Sequence, residues 1–210
     1  MKQRRKRSRP TVEQLEAEIS REDQRSRFGH TARSTVYILI TVAAAAILAA
    51  TLFFPVLKIY GKSMAPTLDE GEIVVSLKNS DFAAGDIVAF YFNNKVLIKR
   101  VICGPGDWID IREDGTVVVN GSVVDEPYLP EKAFGICDLT LPYQVPEGHY
   151  FVMGDDRAVS VDSRSTAVGC VAKEQVVGRV LLCVWPLDKL GPVNQQQEQI
   201  RSGIEITARK

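Results

Sequence analysis

The sequence is poor in the residues that bind transition metals. Its 210 residues include two histidines, His30 and His149, and four cysteines, and no two cysteines are spaced as Cys-x-x-Cys. Structural zinc sites and redox motifs are usually built from such close pairs. No metal centre is therefore expected. The sequence leaves open whether the cysteines form disulfides or stay as buried thiols; they are Cys103, Cys137, Cys170 and Cys183.

The chain also lacks a net charge, but its two parts are charged oppositely. Lys+Arg and Asp+Glu are both 26. Residues 1–34 carry ten basic and five acidic side chains, which gives +5, and the remainder carries −5. The two parts are therefore expected in different surroundings.

Charge is absent from residues 35–57, TVYILITVAAAAILAATLFFPVL. A helix of about 20 apolar residues crosses a bilayer. A buried core helix, the first alternative, usually shows a polar face. A cleaved secretory signal, the second alternative, has an apolar core of about 7–15 residues after a short basic segment. The length of the run and its position predict an uncleaved anchor, with the lipid bilayer as a partner.

Basic residues are denser before the apolar run than after it. This asymmetry predicts a cytoplasmic N-terminus and a C-terminal part outside the membrane. A nucleic-acid patch is the alternative for the basic start, but beside a membrane span contact with anionic lipid is favoured, and no nucleic-acid partner is expected. Four parts are predicted: a basic cytoplasmic segment (1–34), a transmembrane helix (35–57), an extracytoplasmic β-rich domain (58–190) and a polar tail (191–210).

Strand signals dominate after the apolar run. Short segments rich in β-branched and aromatic residues are separated by Gly- and Asn-containing turns, without repeats or regular strand–helix alternation. The pattern predicts a mostly β, antiparallel domain. Strands are predicted at 72–77, 86–92, 95–103, 107–113, 116–120, 122–124, 149–155 and 176–186, with helical segments at 11–27 and 172–176.

Ser63 lies in IYGKSMAPTL, just after the apolar run. A serine nucleophile needs a base within hydrogen-bond reach. His149 is one candidate and Lys99 is another. On a strand, Lys99 would share its face with the apolar Leu97 and Val101, and burial can lower a lysine pKa from about 10.4 by up to about 3–5 units. The alternative is a lysine that extends into solvent at a sheet edge.

A third segment, VMGDDRAVSVDSR (152–164), concentrates charges and hydroxyls after an apolar strand. Ser160, Asp162 and Arg164 are two positions apart, which indicates a hydrogen-bonded network on one side of the chain. A charged surface loop with local salt bridges is the alternative.

These segments together resemble the bacterial type I signal peptidase family, membrane-bound Ser–Lys enzymes that release exported proteins from their signal peptides. The resemblance covers most of residues 59–190. GKSMAPTL is similar to the nucleophile box, AGDIVAF to the Gly-Asp strand box, KRVICGPGD to the lysine box and GDDRAVSVDSR to the last box. The fold implied is an antiparallel β-sheet catalytic domain behind one N-terminal transmembrane helix.

The resemblance also implies roles for single residues. Ser63 would be the nucleophile, Lys99 the general base, and Ser160 would orient the lysine amine. Asp162 and Arg164 would form a supporting ion pair, helped by Asp155. Candidates for the substrate pockets are Ile59, Met64, Leu68 and Ile98.

The implied substrates are preprotein signal peptides with small residues, usually Ala-x-Ala, before the cut, and no cofactor is needed. Gly61 departs from the family pattern, because some members carry a hydroxyl residue there as a second oxyanion donor. Soluble Ser–Lys repressors share the dyad but lack an anchor. Penicillin-binding enzymes use Ser-x-x-Lys, where this chain has Pro66. A non-enzymatic, membrane-tethered β module is the alternative from a different class.

Overall fold

The computed structural model describes residues 12–193. The first eleven residues and residues 194–210 lie outside the described part. The predictions made for the basic start and for the polar tail therefore stay predictions there.

One long helix, α1 (Val12–Phe53), contains the described part of the predicted helix 11–27, which begins at Val12, and most of the apolar run. Its part Arg33–Phe53 is 21 residues long and apolar enough to cross a membrane. At about 1.5 Å per residue this part spans roughly 30 Å, the thickness of a bilayer core.

The helix ends at Phe53, four residues before the predicted end of the transmembrane helix at position 57. The reason is Pro55, which has no amide hydrogen and disfavours helical backbone in the residue before it. Val56 and Leu57, assigned to the helix by prediction, instead belong to the first strand, Val56–Lys58.

A β domain of twelve strands makes up the rest of the described chain. The short helical segments Lys173–Gln175 and Leu187–Lys189 interrupt it. The strands are β1 (Val56–Lys58), β2 (Ile73–Lys78), β3 (Ile87–Phe92), β4 (Lys95–Cys103), β5 (Trp108–Ile111), β6 (Val117–Val119), β7 (Ser122–Val123), β8 (Tyr143–Gln144), β9 (His149–Met153), β10 (Val171–Ala172), β11 (Val176–Trp185) and β12 (Gly191–Pro192).

The strands form two antiparallel sheets. The larger has the order β1-β2-β11-β3-β4-β9-β10, with β12 paired to β11, and the smaller has the order β7-β6-β5-β8. The predicted mostly β, antiparallel fold with an N-terminal helix is confirmed. The four strands that were not predicted, β1, β8, β10 and β12, are two or three residues long, which is too short for an alternating pattern to be visible.

Strand β4 lies inside the larger sheet but is only partly paired. It pairs with β3 along Lys95 to Arg100, whereas its pairing with β9 begins at Arg100. Its first half therefore has a free edge. Strand β1 ends the sheet and pairs with β2. Open backbone edges of this kind can pair with an added strand.

Apolar side chains fill three core clusters. The first packs the smaller sheet against β9 and includes Ile109 and Phe151. The second lies beneath the segment between β1 and β2, and the third lies under β3, β4 and β9. The second cluster includes Met64, so the core anchors the segment that carries Ser63.

Three buried ion pairs hold the loop that follows β9. They are Arg100–Asp155, Arg157–Glu126 and Arg164–Asp162, with nitrogen–oxygen distances of 2.6, 2.5 and 2.9 Å. Every one of these side chains is at most 4% exposed. A buried charge costs several kcal/mol unless it is paired, so the loop is stable only when its pairs are formed.

Replacing Arg157 by Met is expected to destabilise the protein strongly. The Glu126 carboxylate would stay buried without its partner, and breaking a buried pair costs about 3–5 kcal/mol. Urea unfolding of the detergent-solubilised chain measures the change. The double variant Glu126→Gln/Arg157→Met should recover part of the loss, and the exposed Arg112→Met serves as control. Equal stability of Arg157→Met and Arg112→Met would contradict the interpretation.

Candidate active site

A cleft of about 700 Å³ runs between β1 and the first half of β4. Ser63 and Lys99 both line it. The two residues are 36 positions apart in the sequence, and the sheet brings them to the same cavity. Apolar side chains make up much of the remaining wall, among them Leu57, Ile59, Met64 and Ile98.

The segment that carries Ser63 is a closed loop between β1 and β2. The Ile59 N–H donates to the Glu72 carbonyl over 2.8 Å, and the Gly71 N–H donates to the Ile59 carbonyl over 3.0 Å. Gly61 adopts a φ of 82°, which favours glycine because it has no Cβ. Met64 is buried directly after the serine. Ser63, half-buried, is thus held at the wall of the cleft.

Lys99 is buried in the sheet with 3% of its surface exposed. Its Nζ donates a hydrogen bond to Ser160 Oγ over 2.9 Å. Burial lowers the pKa of Lys99 from 10.5 to about 8; the negative charge of Asp162 opposes this change and the positive charge of Arg164 adds to it. The alternative of a lysine extending into solvent is therefore wrong, and a substantial fraction of this amine is neutral in mildly alkaline solution.

Asp162 and Arg164 form a two-point ion pair next to the lysine. Arg164 Nε and Nη2 each donate to the Asp162 carboxylate over 2.9 Å, and Nη2 also donates to the Ser160 carbonyl over 3.3 Å. Burial acts to raise the pKa of Asp162, but the hydrogen bonds and charge of Arg164 and the Gly154 N–H lower it below its usual value. The carboxylate is therefore ionised. Because Ser160, Asp162 and Arg164 are all buried, the alternative of a charged surface loop with local salt bridges is wrong.

Asp155 lies in a different pair from the one expected. Its carboxylate accepts hydrogen bonds from Arg100 Nε and Nη2, at 2.9 and 2.6 Å, and from Thr67 Oγ1 at 2.5 Å. It therefore joins β4 to the serine loop, whereas the expectation placed it in support of Asp162 and Arg164.

Sequence reasoning missed Arg100 and Thr67. A signal for Arg100 was present, because it alternates with the apolar Ile98 and Ile102 along β4. A charge on an apolar strand face is usually buried with a partner. Thr67 carries no comparable signal, since an isolated hydroxyl in a loop is common.

Gly154 allows the serine loop and the loop after β9 to approach each other. A Cβ at this position would lie 2.3 Å from Ser160 Oγ and 2.4 Å from the Ser63 carbonyl oxygen. Two residues later, the Asp156 N–H donates to the same Ser63 carbonyl over 3.1 Å. The backbone of the serine is thus bound to the loop that carries Ser160.

The predicted pocket residues divide into two groups. Ile59, Met64 and Ile98 line the cleft. Leu68 does not belong to the described lining and is 1% exposed in the core cluster beneath the loop. The reason is the turn in which the Leu68 N–H donates to the Met64 carbonyl, which directs the chain back into the core.

His149 and the four cysteines are not among the residues described as lining the cleft. His149 begins β9, and its Nδ1 lies 2.9 Å from the Glu147 carbonyl oxygen. A Ser–His pair is therefore not formed. All four cysteines are free thiols. Burial raises the pKa of Cys103, and it raises that of Cys170 to about 11, so these thiols are protonated near neutral pH.

A family model confirms what the geometry indicates. The model described as signal peptidase, peptidase S26, matches residues 32–185. The chain belongs to this family. The predicted family is thereby confirmed, and with it the enzyme class, a serine endopeptidase of a family that characteristically uses a Ser/Lys dyad.

Curated proteins give the same result. A signal peptidase I of Bacillus licheniformis is 39% identical over 167 residues, which cover 73% of this chain and 88% of the relative. A signal peptidase IB of Staphylococcus aureus (strain COL) is 38% identical over 151 residues, which cover 62% of this chain and 78% of the relative. Among solved structures, a signal peptidase I of Enterococcus faecalis V583 matches with 32% identity and a TM-score of 0.41, covering 48% of this chain and 97% of that one.

Replacing Asp162 by Asn is expected to lower the pKa of Lys99 below its value of about 8. The substitution removes a negative charge that favours the ammonium form and leaves the positive charge of Arg164 in place. NMR titration of the ¹³Cε-labelled lysine side chains measures the change, with the Lys99 resonance assigned by its loss in Lys99→Met.

The control is Asp110→Asn, which changes a half-buried carboxylate on β5. It should leave the Lys99 titration unchanged. An unchanged or raised Lys99 pKa in Asp162→Asn would contradict the electrostatic account.

Proposed function

We propose that this protein is a membrane-anchored signal peptidase I that cleaves signal peptides from exported preproteins, with Ser63 as nucleophile and Lys99 as general base. One observation carries the proposal. In a chain of the signal peptidase family, a buried lysine with a pKa of about 8 shares a cleft with a half-buried serine. This amine can lose its proton near physiological pH, as a base must.

The first step of the proposed reaction is a proton transfer. Neutral Lys99 takes the Ser63 hydroxyl proton as the serine oxygen attacks the scissile carbonyl carbon. The hydrogen bond from Lys99 Nζ to Ser160 Oγ fixes the direction of the amine. Holding the base in place before the reaction removes part of the entropic cost of aligning it.

The carbonyl oxygen gains negative charge during the attack. The backbone N–H of Ser63 is the proposed donor to this oxyanion, since preorganised N–H groups stabilise such charge strongly. Gly61 has no side-chain hydroxyl to add. The carbonyl–nitrogen bond then breaks, Lys99 returns its proton to the leaving amine, and an acyl-enzyme on Ser63 remains. A water molecule then gives its proton to Lys99 and attacks the ester carbonyl. The bond to Ser63 breaks, and Lys99 returns the proton to the serine oxygen.

The substrate is proposed to bind as an extended strand. The free edge of β1 and the unpaired first half of β4 border the cleft and leave main-chain groups open for pairing. Side chains of a strand alternate in direction. The first and third residues before the cut would point to the apolar wall at Ile59 and Ile98, and small apolar residues such as alanine are proposed to fit there.

The membrane arrangement completes the proposal. Residues 1–34 lie in the cytoplasm, the helix from Thr35 to Phe53 crosses the bilayer, and the β domain lies outside. Only nine residues separate the helix end at Phe53 from Ser63. The nucleophile is thereby kept near the membrane surface, where the cleavage site of an exported preprotein emerges. Nucleic acid has no part in this function.

The variants Ser63→Ala and Lys99→Ala are each expected to abolish cleavage. The first removes the nucleophilic oxygen and the second removes the base, and loss of either member of such a dyad costs several orders of magnitude in kcat. The assay incubates the detergent-solubilised full chain with a preprotein bearing Ala-x-Ala and follows the mature product.

The matched controls are Ser122→Ala and Lys173→Ala, which change exposed residues outside the cleft lining. Both should cleave at the wild-type rate. Cleavage by Ser63→Ala or Lys99→Ala at the rate of these controls would refute the assigned dyad. Absence of cleavage by the wild type would refute the proposed activity on signal peptides.

Activity is expected to rise with pH around pH 8. The neutral form of Lys99 is the active one, and its pKa in the folded protein is about 8, so kcat/KM increases as the ammonium form loses its proton. A pH–rate profile from pH 6 to 10 measures the inflection. In Asp162→Asn the inflection should move to lower pH together with the NMR-measured pKa. A flat wild-type profile would exclude Lys99 as the base.

A further inference from the structure

The charged residues that line the cleft are all lysines. Lys58, Lys95 and Lys99 belong to the described lining, which contains no carboxylate. We propose that Lys58 and Lys95 select substrates by charge, so that an acidic residue four positions before the cut is favoured and a basic one is disfavoured. This inference rests on the proposed function and adds to it a property of the substrate.

On β1 and in the two residues that follow it, the side chains alternate between the core and the outside. Leu57 and Ile59 pack in the second core cluster, whereas Val56, Lys58 and Tyr60 are exposed. The Lys58 ammonium lies 5.9 Å from the centre of the Tyr60 ring, which agrees with a shared face. Lys58 is therefore on the side of β1 that points away from the apolar wall.

The side chains of β4 also alternate between two faces of the strand. Ile98 packs against the second cluster, together with Leu57 and Ile59. Residues of odd number, Lys95 and Leu97, therefore lie on the opposite face of the strand. Lys58 and Lys95 thus border the same side of the cleft from its two edges, and each is exposed.

The spacing along β4 fixes the substrate position that the lysines reach. Lys95 lies four residues before Lys99, which corresponds to about 13 Å along a strand. The reacting carbonyl belongs to the first residue before the cut, and in an extended substrate the fourth residue lies three residues, about 10 Å, beyond it. Its even-numbered side chains point away from the apolar wall that receives the first and third, and of these the fourth lies nearest to Lys95.

The expected effect is moderate and depends on salt. An ion pair between exposed groups has a small interaction free energy in water. This energy corresponds to about a two- to fivefold change in kcat/KM for each lysine. Ions screen such pairs, with a Debye length near 3 Å at about 1 M salt. Neither ammonium forms an ion pair within the described part of the chain, so an acidic substrate would not have to displace an internal partner.

The test uses the full chain in a nonionic detergent and three Ala-x-Ala peptides that differ only in the fourth residue before the cut, Asp, Asn or Lys. At low salt, kcat/KM should decrease in that order. Lys58→Gln and Lys95→Gln should each reduce the Asp-to-Lys ratio about two- to fivefold, and the double variant should reduce it further. The control Lys173→Gln, outside the cleft lining, should keep the wild-type ratio.

The outcomes separate this inference from the proposed function. Cleavage of the Asn peptide together with equal rates for the Asp and Lys peptides would overturn charge selection and leave the peptidase intact. If none of the three peptides is cleaved, the proposed function itself fails. If the lysine variants change activity only in vesicles with anionic lipid, and not the peptide ratio, the two lysines bind lipid headgroups and the inference is wrong.

Discussion

The candidate site depends on the burial of one amine. Lys99 cannot keep its charge at no cost inside a sheet, and desolvation is the largest cause of its lowered pKa. The adjacent Asp162–Arg164 pair carries no net charge. Asp162 raises the pKa of Lys99 and Arg164 lowers it, so the pair does not cancel the effect of burial. A lone carboxylate in the same place would restore the ammonium, and the amine could no longer accept a proton near neutral pH.

Holding that amine in position requires contacts between distant parts of the chain. The lysine is on β4, its hydrogen-bond partner Ser160 is in the loop after β9, and Ser63 is in the loop after β1. Asp155, in the loop after β9, binds β4 through Arg100 and the loop after β1 through Thr67. The buried Arg100–Asp155 pair thus sets the relative positions of the segments that carry the reactive groups, in addition to its part in stability.

Local patterns in the sequence were sufficient to predict most of the strands, the apolar segment and the buried setting of Lys99. Each of these features produces a pattern of apolar and polar residues within a short stretch of the sequence. The pairing of Asp155 with Arg100 and of Glu126 with Arg157 was not predictable, because the partners are 55 and 31 residues apart. Likewise, Leu68 was misassigned to the cleft since its apolar character fits a pocket and a core equally well. The early end of α1 follows from Pro55, whose effect was underestimated.

The free edges of β1 and β4 have a consequence for contacts between copies of the protein. Exposed strand edges template pairing between molecules, and natural proteins often guard them with lysine. Lys58 and Lys95 stand on these two edges, where two identical chains would bring like charges together. The two lysines thus disfavour edge-to-edge pairing between copies of the chain, while the strand edges themselves stay uncovered.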